Sequence, residues 1–386
     1  MKLSAALWRV IVSTTLVVLS YSLLSPVLAV RLQTMGASTT AIGAFAMMPF
    51  ISVALLVPLA PRLFTWLGVG LAYRLGLALE LLAYLGFLLT DHYLLWCALS
   101  LMAGMGSAAA WNATEALIAH NVPVSHRGRL TGLYQTSLGA AMALGPMLPG
   151  LLGLTPVWAN VLAAAGLGIG LLLALGPDIS ALRAAHEDAA HMSLWAAWRW
   201  QPMLAWAAFV GGVFEIGLGS VTTAYGSQTG LSLAEATSIA GALGAGSFLL
   251  QYPAGWLADH VPTRGLFATA ALVLLLSALG LVLSPRWPTL LWLAAACWGA
   301  VGGALYTLSM IRVAHDFADS SAVAGTSAMI AGYTAGGALG PLVSGLMLDH
   351  WGIRGQGVWL GILSMSLLLA LWGSRQPASL PIKHQA

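Results

Sequence analysis

Charge is what this chain has least of. Of its 386 residues only 7% are Asp, Glu, Lys or Arg, while 59% are hydrophobic; soluble domains carry about a quarter charged residues. So few charges cannot cover the surface of a water-soluble protein of this length. Cysteine is nearly absent too. Cys97 and Cys297 stand singly inside apolar runs, which excludes a disulfide framework or a Cys-based metal site and leaves two small core residues. There is no phosphate-binding loop, no Gly-x-Ser-x-Gly, no His-Glu-x-x-His and no Cys-x-x-Cys. Without them, ATP hydrolysis and the common hydrolytic chemistries have no recognisable machinery. The chain is expected not to be an enzyme and to hold neither cofactor nor metal. The formal charge of +3 does not indicate nucleic acid either, since the basic residues are scattered singly and form no stripe that could follow a phosphate backbone.

What is present is a repeat. Trp111 to Gly150 reads WNATEALIAHNVPVSHRGRLTGLYQTSLGAAMALGPMLPG, and Tyr306 to Gly345, at an offset of 195, reads YTLSMIRVAHDFADSSAVAGTSAMIAGYTAGGALGPLVSG. His120 falls on His315, Leu144-Gly145-Pro146 on Leu339-Gly340-Pro341, and Gly150 on Gly345; Pro58 falls on Pro253. The offset is about half the chain, so two halves of one design are expected. In a strongly apolar protein this is how parallel-repeat secondary transporters are built, with the substrate site between the halves.

Apolar runs of spanning length fall at 10–30, 41–61, 67–89, 94–118, 129–153, 156–176, 202–225, 234–257, 265–284, 288–312, 322–348 and 355–373. Each approaches the ~20 residues that cross a ~30 Å bilayer core as a helix. The first, with Lys2 and Arg9 before it, could pass for a secretory signal. Its length, and its match with the run around Glu215, make it the first span. With an inside N-terminus, twelve of the fifteen Lys and Arg fall on the cytoplasmic side and only Arg31, Arg286 and Arg354 outside, as the positive-inside rule requires. The polar stretch 177–201 joins the two sixes. Its histidines and acids read as a solvated linker rather than a metal or pH site. Trp66, Trp96, Trp195, Trp198, Trp200, Trp287, Trp351 and Trp372 sit near span ends and read as interface anchors.

Two segments carry a family resemblance. Gly104-x-Gly106, Trp111, Glu115-Ala116-Leu117 and Arg127-Gly128-Arg129-Leu130, together with Gln251-Tyr252-Pro253-x-Gly255-x-Leu257-Ala258-Asp259, are similar to the YcaD-like branch of the major facilitator superfamily (MFS). The resemblance covers essentially the whole chain. It implies an all-α membrane protein of twelve transmembrane helices, an MFS fold of two pseudo-symmetric six-helix bundles with both termini cytoplasmic. The bundles are expected at 1–176 and 202–386. The chain departs from the superfamily in two places. The N-terminal copy of its loop after the second helix, Pro58 to Gly68, lacks the usual aspartate, while the C-terminal copy keeps Asp259 and Arg264. The fourth helix has Ser100 and Ala103 where many proton-coupled members carry Arg and Gln. Gly145-Pro146 in the fifth helix loosely resembles a motif of exporters.

The resemblance makes helices one, four, seven and ten the cavity liners. A charged carboxylate at mid-bilayer costs about 2.5–3.5 kcal/mol, so it must be neutral, paired or facing water. Glu215 in the seventh helix and Glu115 in the fourth are the expected proton-coupling residues; either could equally be a hydrogen-bonded structural acid, or Glu115 a gate partner of Arg127 or Arg129. The expected substrate cavity comprises Tyr21, Trp111, Asn112, Glu115, Glu215, Trp298, Tyr306, Ser309 and Arg312. Trp111 and Asn112 share a helix face with Glu115. Asp259, Arg264, Arg127 and Arg129 are expected to close the cytoplasmic gate. Glu80, in the usually peripheral third helix, reads as structural, with Arg74 a poorly placed partner six residues away. The expected activity is secondary active transport by alternating access, proton-coupled, of a small organic solute, with efflux favoured over uptake and a transport-inactive sensor as the alternative. Its setting is the bacterial inner membrane and its state a monomer. Its partners are the solute, protons and the bilayer, and no nucleic acid.

Overall fold

The computed structural model describes residues 5–56, 59–121, 124–176, 198–316 and 319–374, with side chains at these positions except 60, 61, 118–129, 131 and 314–324. Every regular element among them is helical. Apolar segments in lipid have no water to satisfy an open backbone, so the helix, which bonds internally, is the form they take. The order is α1 (Ala5–Thr34), α2 (Thr39–Leu56), α3 (Ala60–Leu67), α4 (Val69–Leu89), α5 (Tyr93–Asn121), α6 (Val124–Leu144), α7 (Leu148–Leu151) and α8 (Pro156–Ala174). Then come α9 (Pro202–Gly212), a π-helical turn (Val213–Gly217), α10 (Gly219–Gln228), α11 (Leu233–His260), α12 (Thr263–Leu283), α13 (Leu290–Asp316) and α14 (Asp319–Gly373). Among the described residues nine helices are long and apolar enough to cross a membrane, or ten when the bent pair Pro202–Gly217 and Gly219–Gln228 counts as one.

α14 is 55 residues long, ~80 Å at 1.5 Å per residue and far more than one bilayer crossing. It breaks at Gly352, whose φ of 61° and ψ of −160° belong to a region open essentially to glycine. Before the break, Gly332 and Gly336 lie against Ala205 and Phe209 of α9. After it, Gly357 meets Ala278 and Val282, and Arg264 at the start of α12 donates to the Leu371 carbonyl (2.9 Å). The second limb therefore runs back, antiparallel to α12.

The apolar core divides by sequence. One cluster is built from residues between Leu204 and Leu371. Two lie in the first half, one running from Ala6 to Ala174 with Ala224 alone from beyond, the other from Leu7 to Ala141. Inside the first half a hydroxyl network ties four helices, α1, α4, α5 and α8. Thr14 bonds Thr114 and Tyr73 (3.0 Å each), Tyr73 donates to Ser13 (2.8 Å), and Ser13 donates to the Gly170 carbonyl of α8 (2.8 Å). All four side chains are buried, and each bond of this kind is worth about 1 kcal/mol net.

The 195-residue offset recurs in space. Gly104 of α5 packs on Ser52 of α2, and Gly299 of α13 packs on Ser247 of α11. Gly150 meets Ala234, and Gly345 meets Thr39. Ser25 of α1 and Ser220 of α10, 195 positions apart, share a hydrogen bond of 3.0 Å. A pair of equivalent residues can touch only where the pseudo-two-fold axis passes between them.

The halves meet at one end and part at the other. α2 lies along α14 from Thr39–Gly345 to Phe50–Gly337, and α6 and α7 lie along α11 from Gly150–Ala234 to Gly139–Phe248. These seams run 11 and 14 residues along α2 and α11, ~17–21 Å. Beyond them Leu55, Leu249, Tyr252 and Trp256 are exposed. Among the described residues, the end that bears Thr34, Thr39 and Gln228 is thus closed, and the end that bears Glu115 and Trp256 is open.

An acid from one half caps a helix of the other at the closed end. Asp349 of α14 accepts from the Thr39 N–H (2.9 Å), the Thr39 hydroxyl (2.6 Å) and the Thr40 N–H (2.8 Å). The two N–H groups are orphan donors at the start of α2 and carry partial positive charge. The equivalent start of α11 is capped from within by Ser232 and Glu235. Gln33 and Ser227 add a 2.9 Å bond across the halves.

Candidate functional site

Glu215 sits in the π-helical turn Val213–Gly217, where the seventh-span segment bends by 42°. Single π turns are rare and recur at functional sites, because they displace one side chain from the regular helical face. Glycine on both helices permits the approach. A Cβ on Gly302 would lie 2.9 Å from the Glu215 Cβ, and one on Gly303 only 2.7 Å from Oε1. The carboxyl is therefore pressed directly on the α13 backbone.

Two hydroxyls from two further helices hold it. Ser247 of α11 donates to Oε1, and Tyr333 of α14 donates to Oε2 at 2.6 Å. The Tyr306 ring of α13 lies tilted against Tyr333, with centroids 4.7 Å apart and planes 44° to one another. No ion pair to Glu215 exists among the described residues. The four side chains are half-buried, so the cluster borders the space between the helices. Ser247 and Tyr333 have no signal in the sequence.

The other expected cavity residues differ in exposure. Trp111 and Glu115, one turn apart on α5, are both exposed, as is Tyr21 of α1. Asn112 is half-buried and spends its amide on the Ala108 carbonyl (2.8 Å). Tyr306 lies within electrostatic range of both Glu215 and Glu115. Arg312 is half-buried near the end of α13. Trp298 and Ser309 do not line the cavity. Trp298 is fully buried with its indole N–H on Ser277 (2.9 Å), and Ser309 is fully buried and bonded to the Leu305 carbonyl (2.7 Å).

Of the expected gate, Asp259 and Arg264 are exposed and form no pair; Arg264 is on Leu371. The side chains of Arg127 and Arg129 and the stretch 177–197 lie outside what the structure describes. Glu80 is buried and accepts from Tyr84 (3.0 Å). Arg74 is not its partner, since it donates to the Ala174 and Gly176 carbonyls (2.8 and 2.9 Å). Trp96 is not an interface anchor either. It is fully buried under the Arg31 guanidinium, 4.7 Å away, while Arg31 also reaches Asp91 (3.0 Å) and the Phe87 carbonyl (2.9 Å).

Comparison with known proteins agrees with this geometry. The chain is 24% identical over 365 residues to YfkF of Bacillus subtilis, an uncharacterized MFS-type transporter, covering 91% of each chain. It is 22% identical to the uncharacterized MFS-type transporter YcaD of Escherichia fergusonii, covering 82% of each. Among solved structures it resembles the nucleoside transporter NupG at 13% identity, with a TM-score of 0.76 over 95% of this chain and 99% of that one. It also resembles a D-xylose-proton symporter at 13% identity, with a TM-score of 0.75 over 95% and 97%. The model of the Major Facilitator Superfamily matches residues 10–317 and 204–385. The chain belongs to the Major Facilitator Superfamily and is a multi-pass membrane transporter, not an enzyme.

Proposed function

We propose that the protein is a proton-coupled secondary transporter of a small organic solute, working by alternating access in the bacterial inner membrane as a monomer. Twelve spans and cytoplasmic termini complete the reading. α14 supplies two spans because it reverses at Gly352, and α6 with α7 supplies the fifth. Six-helix bundles at 1–176 and 202–386 then rock about the Ser25–Ser220 contact, with 177–201 as the cytoplasmic linker. The open end faces the cytoplasm, and Asp349 with the start of α2 forms the closed outer gate. Asp259, with Arg127 and Arg129, acts when the cytoplasmic side shuts.

The observation that carries the coupling is the Glu215–Ser247–Tyr333 cluster. A carboxylate accepts from both hydroxyls at once. A carboxylic acid has to place a proton of its own, so one of the two hydroxyls must turn or let go. Proton binding at Glu215 therefore changes how the seventh span is tied to α11 and α14, which run on to the gates. Glu115, exposed across the same space, is the second proton or substrate group. The solute lies between Tyr21, Trp111, Asn112, Tyr306 and Arg312. Aromatic and apolar walls with few charges suit an amphipathic organic compound, and export is the favoured direction.

Purified protein in proteoliposomes, given an imposed pH gradient and a broad solute panel, tests the reading. Wild type should accumulate a solute against its gradient. Glu215→Gln should lose that accumulation yet still exchange solute for solute. Unchanged pH-driven accumulation in Glu215→Gln would falsify the assignment of the proton to Glu215, and absence of any flux would favour a sensor of the same fold.

A further inference from the structure

We propose that a groove between α12 and the returning limb of α14 holds one anionic phospholipid, its phosphate on Arg264 and an acyl chain along the groove. The groove has a volume of about 360 Å³, and its walls include Arg264, Ala268, Met365, Leu368, Leu369 and Trp372. Apart from the guanidinium these are apolar, and Met365, Leu369 and Trp372 are exposed. Away from the contact between the halves, exposed apolar side chains of a spanning helix face lipid.

Arg264 is the exception in that wall. Among the described residues its one hydrogen bond goes from Nη2 to the Leu371 carbonyl (2.9 Å), and it has no acidic partner there. A guanidinium carries five N–H donors, so four remain. The bond to Leu371 holds the group at the top of the groove. Trp372, 84% exposed on the next residue, belongs at headgroup depth, where tryptophan concentrates. The phosphate of a lipid whose tail enters the groove thus arrives at the free edge of the guanidinium, where two parallel N–H···O bonds can form. Among the described residues no acid pairs with Arg264, Asp259 near the end of α11 included, so its positive charge is available to a ligand. A net-negative headgroup fits it better than a zwitterionic one, whose ammonium would be left unpaired.

The experiment is native mass spectrometry of the full-length protein in detergent with equal phosphatidylglycerol and phosphatidylethanolamine. Wild type should retain one phosphatidylglycerol in preference. Arg264→Gln should weaken retention about tenfold, the worth of a charge-assisted bond. Ala268→Phe, which fills the groove but keeps the charge, should also lose the lipid, and it carries the test if Arg264→Gln does not fold. Arg62→Gln, an exposed arginine elsewhere, should retain it. Retention by both Arg264→Gln and Ala268→Phe as in wild type would overturn the proposal. So would equal retention of phosphatidylethanolamine by wild type, or full displacement of the lipid by inorganic phosphate, which would assign Arg264 to a free anion.

Discussion

The Asp349 cap allows a quantitative test of how the outer gate is held. Asp349→Asn keeps the side-chain shape but removes the charge, and only one oxygen remains to accept. The loss of charge at a helix start costs about 1 kcal/mol, and replacing charge-assisted by neutral hydrogen bonds costs about 1 kcal/mol more. Two halves held by about 2 kcal/mol less should open about thirtyfold more often. Ser220, on the axis behind the gate, is the reporter. With Cys97 and Cys297 replaced by serine and Ser220 by cysteine, a membrane-impermeant maleimide added on the closed side reacts only from the open fraction. The labelling rate therefore scales with that fraction whatever its starting value, provided the closed form predominates. The expected result is labelling about thirtyfold faster in the Asp349→Asn background. Ser227→Ala, which loses a single neutral bond to Gln33, should give about fivefold. A rate for Asp349→Asn within about twofold of its parent would show that the cap does not hold the gate.

Three further outcomes are expected. Tyr333→Phe removes one of the two donors to Glu215, worth about 1 kcal/mol; the pH profile of transport should move while solute exchange at saturating pH persists, and an unmoved profile would dissociate Tyr333 from coupling. Gly303→Ala puts a methyl 2.7 Å from the Glu215 Oε1 and should displace the carboxyl, abolishing pH-driven flux in a protein that still folds; full activity would mean the site has slack that its geometry denies. Arg31→Ala severs bonds to Asp91, Asn160 and the Phe87 carbonyl and uncovers Trp96, costing about 2 kcal/mol. Its unfolding temperature in detergent should fall by several degrees, and no fall would show that solvent already satisfies those groups.

Much of this architecture was legible because membrane insertion restricts what a sequence can do. Runs long enough to span must be helices, and a carboxyl in the middle of one, such as Glu215, has to be accounted for. The repeat was legible because glycine and proline at packing points, such as Gly150 and Gly345, cannot change without moving a neighbouring helix. The partners of Glu215 were not. Ser247 is 32 residues away and Tyr333 is 118, and which faces meet depends on helix rotation. Helices apolar all round give no amphipathic stripe to fix that rotation. For the same reason Trp111 and Trp298 looked alike in sequence, yet one is exposed and the other fully buried. Asp349 reads as an ordinary loop acid until α2, 310 residues away, is placed beside it.

The hydrogen bond between Ser25 and Ser220 says something about how two halves can diverge. A residue on a two-fold axis meets its own image, so its chemistry has to be compatible with itself. Two carboxylates would repel, two ammonium groups likewise, and two bulky side chains would collide. A hydroxyl both donates and accepts, and so is among the few polar groups that can pair with a copy of itself at short range. Away from the axis each half was free to acquire its own acids, and Glu215 and Asp349 have no counterparts at the 195-residue offset. On the axis the two copies remained bound to the same solution.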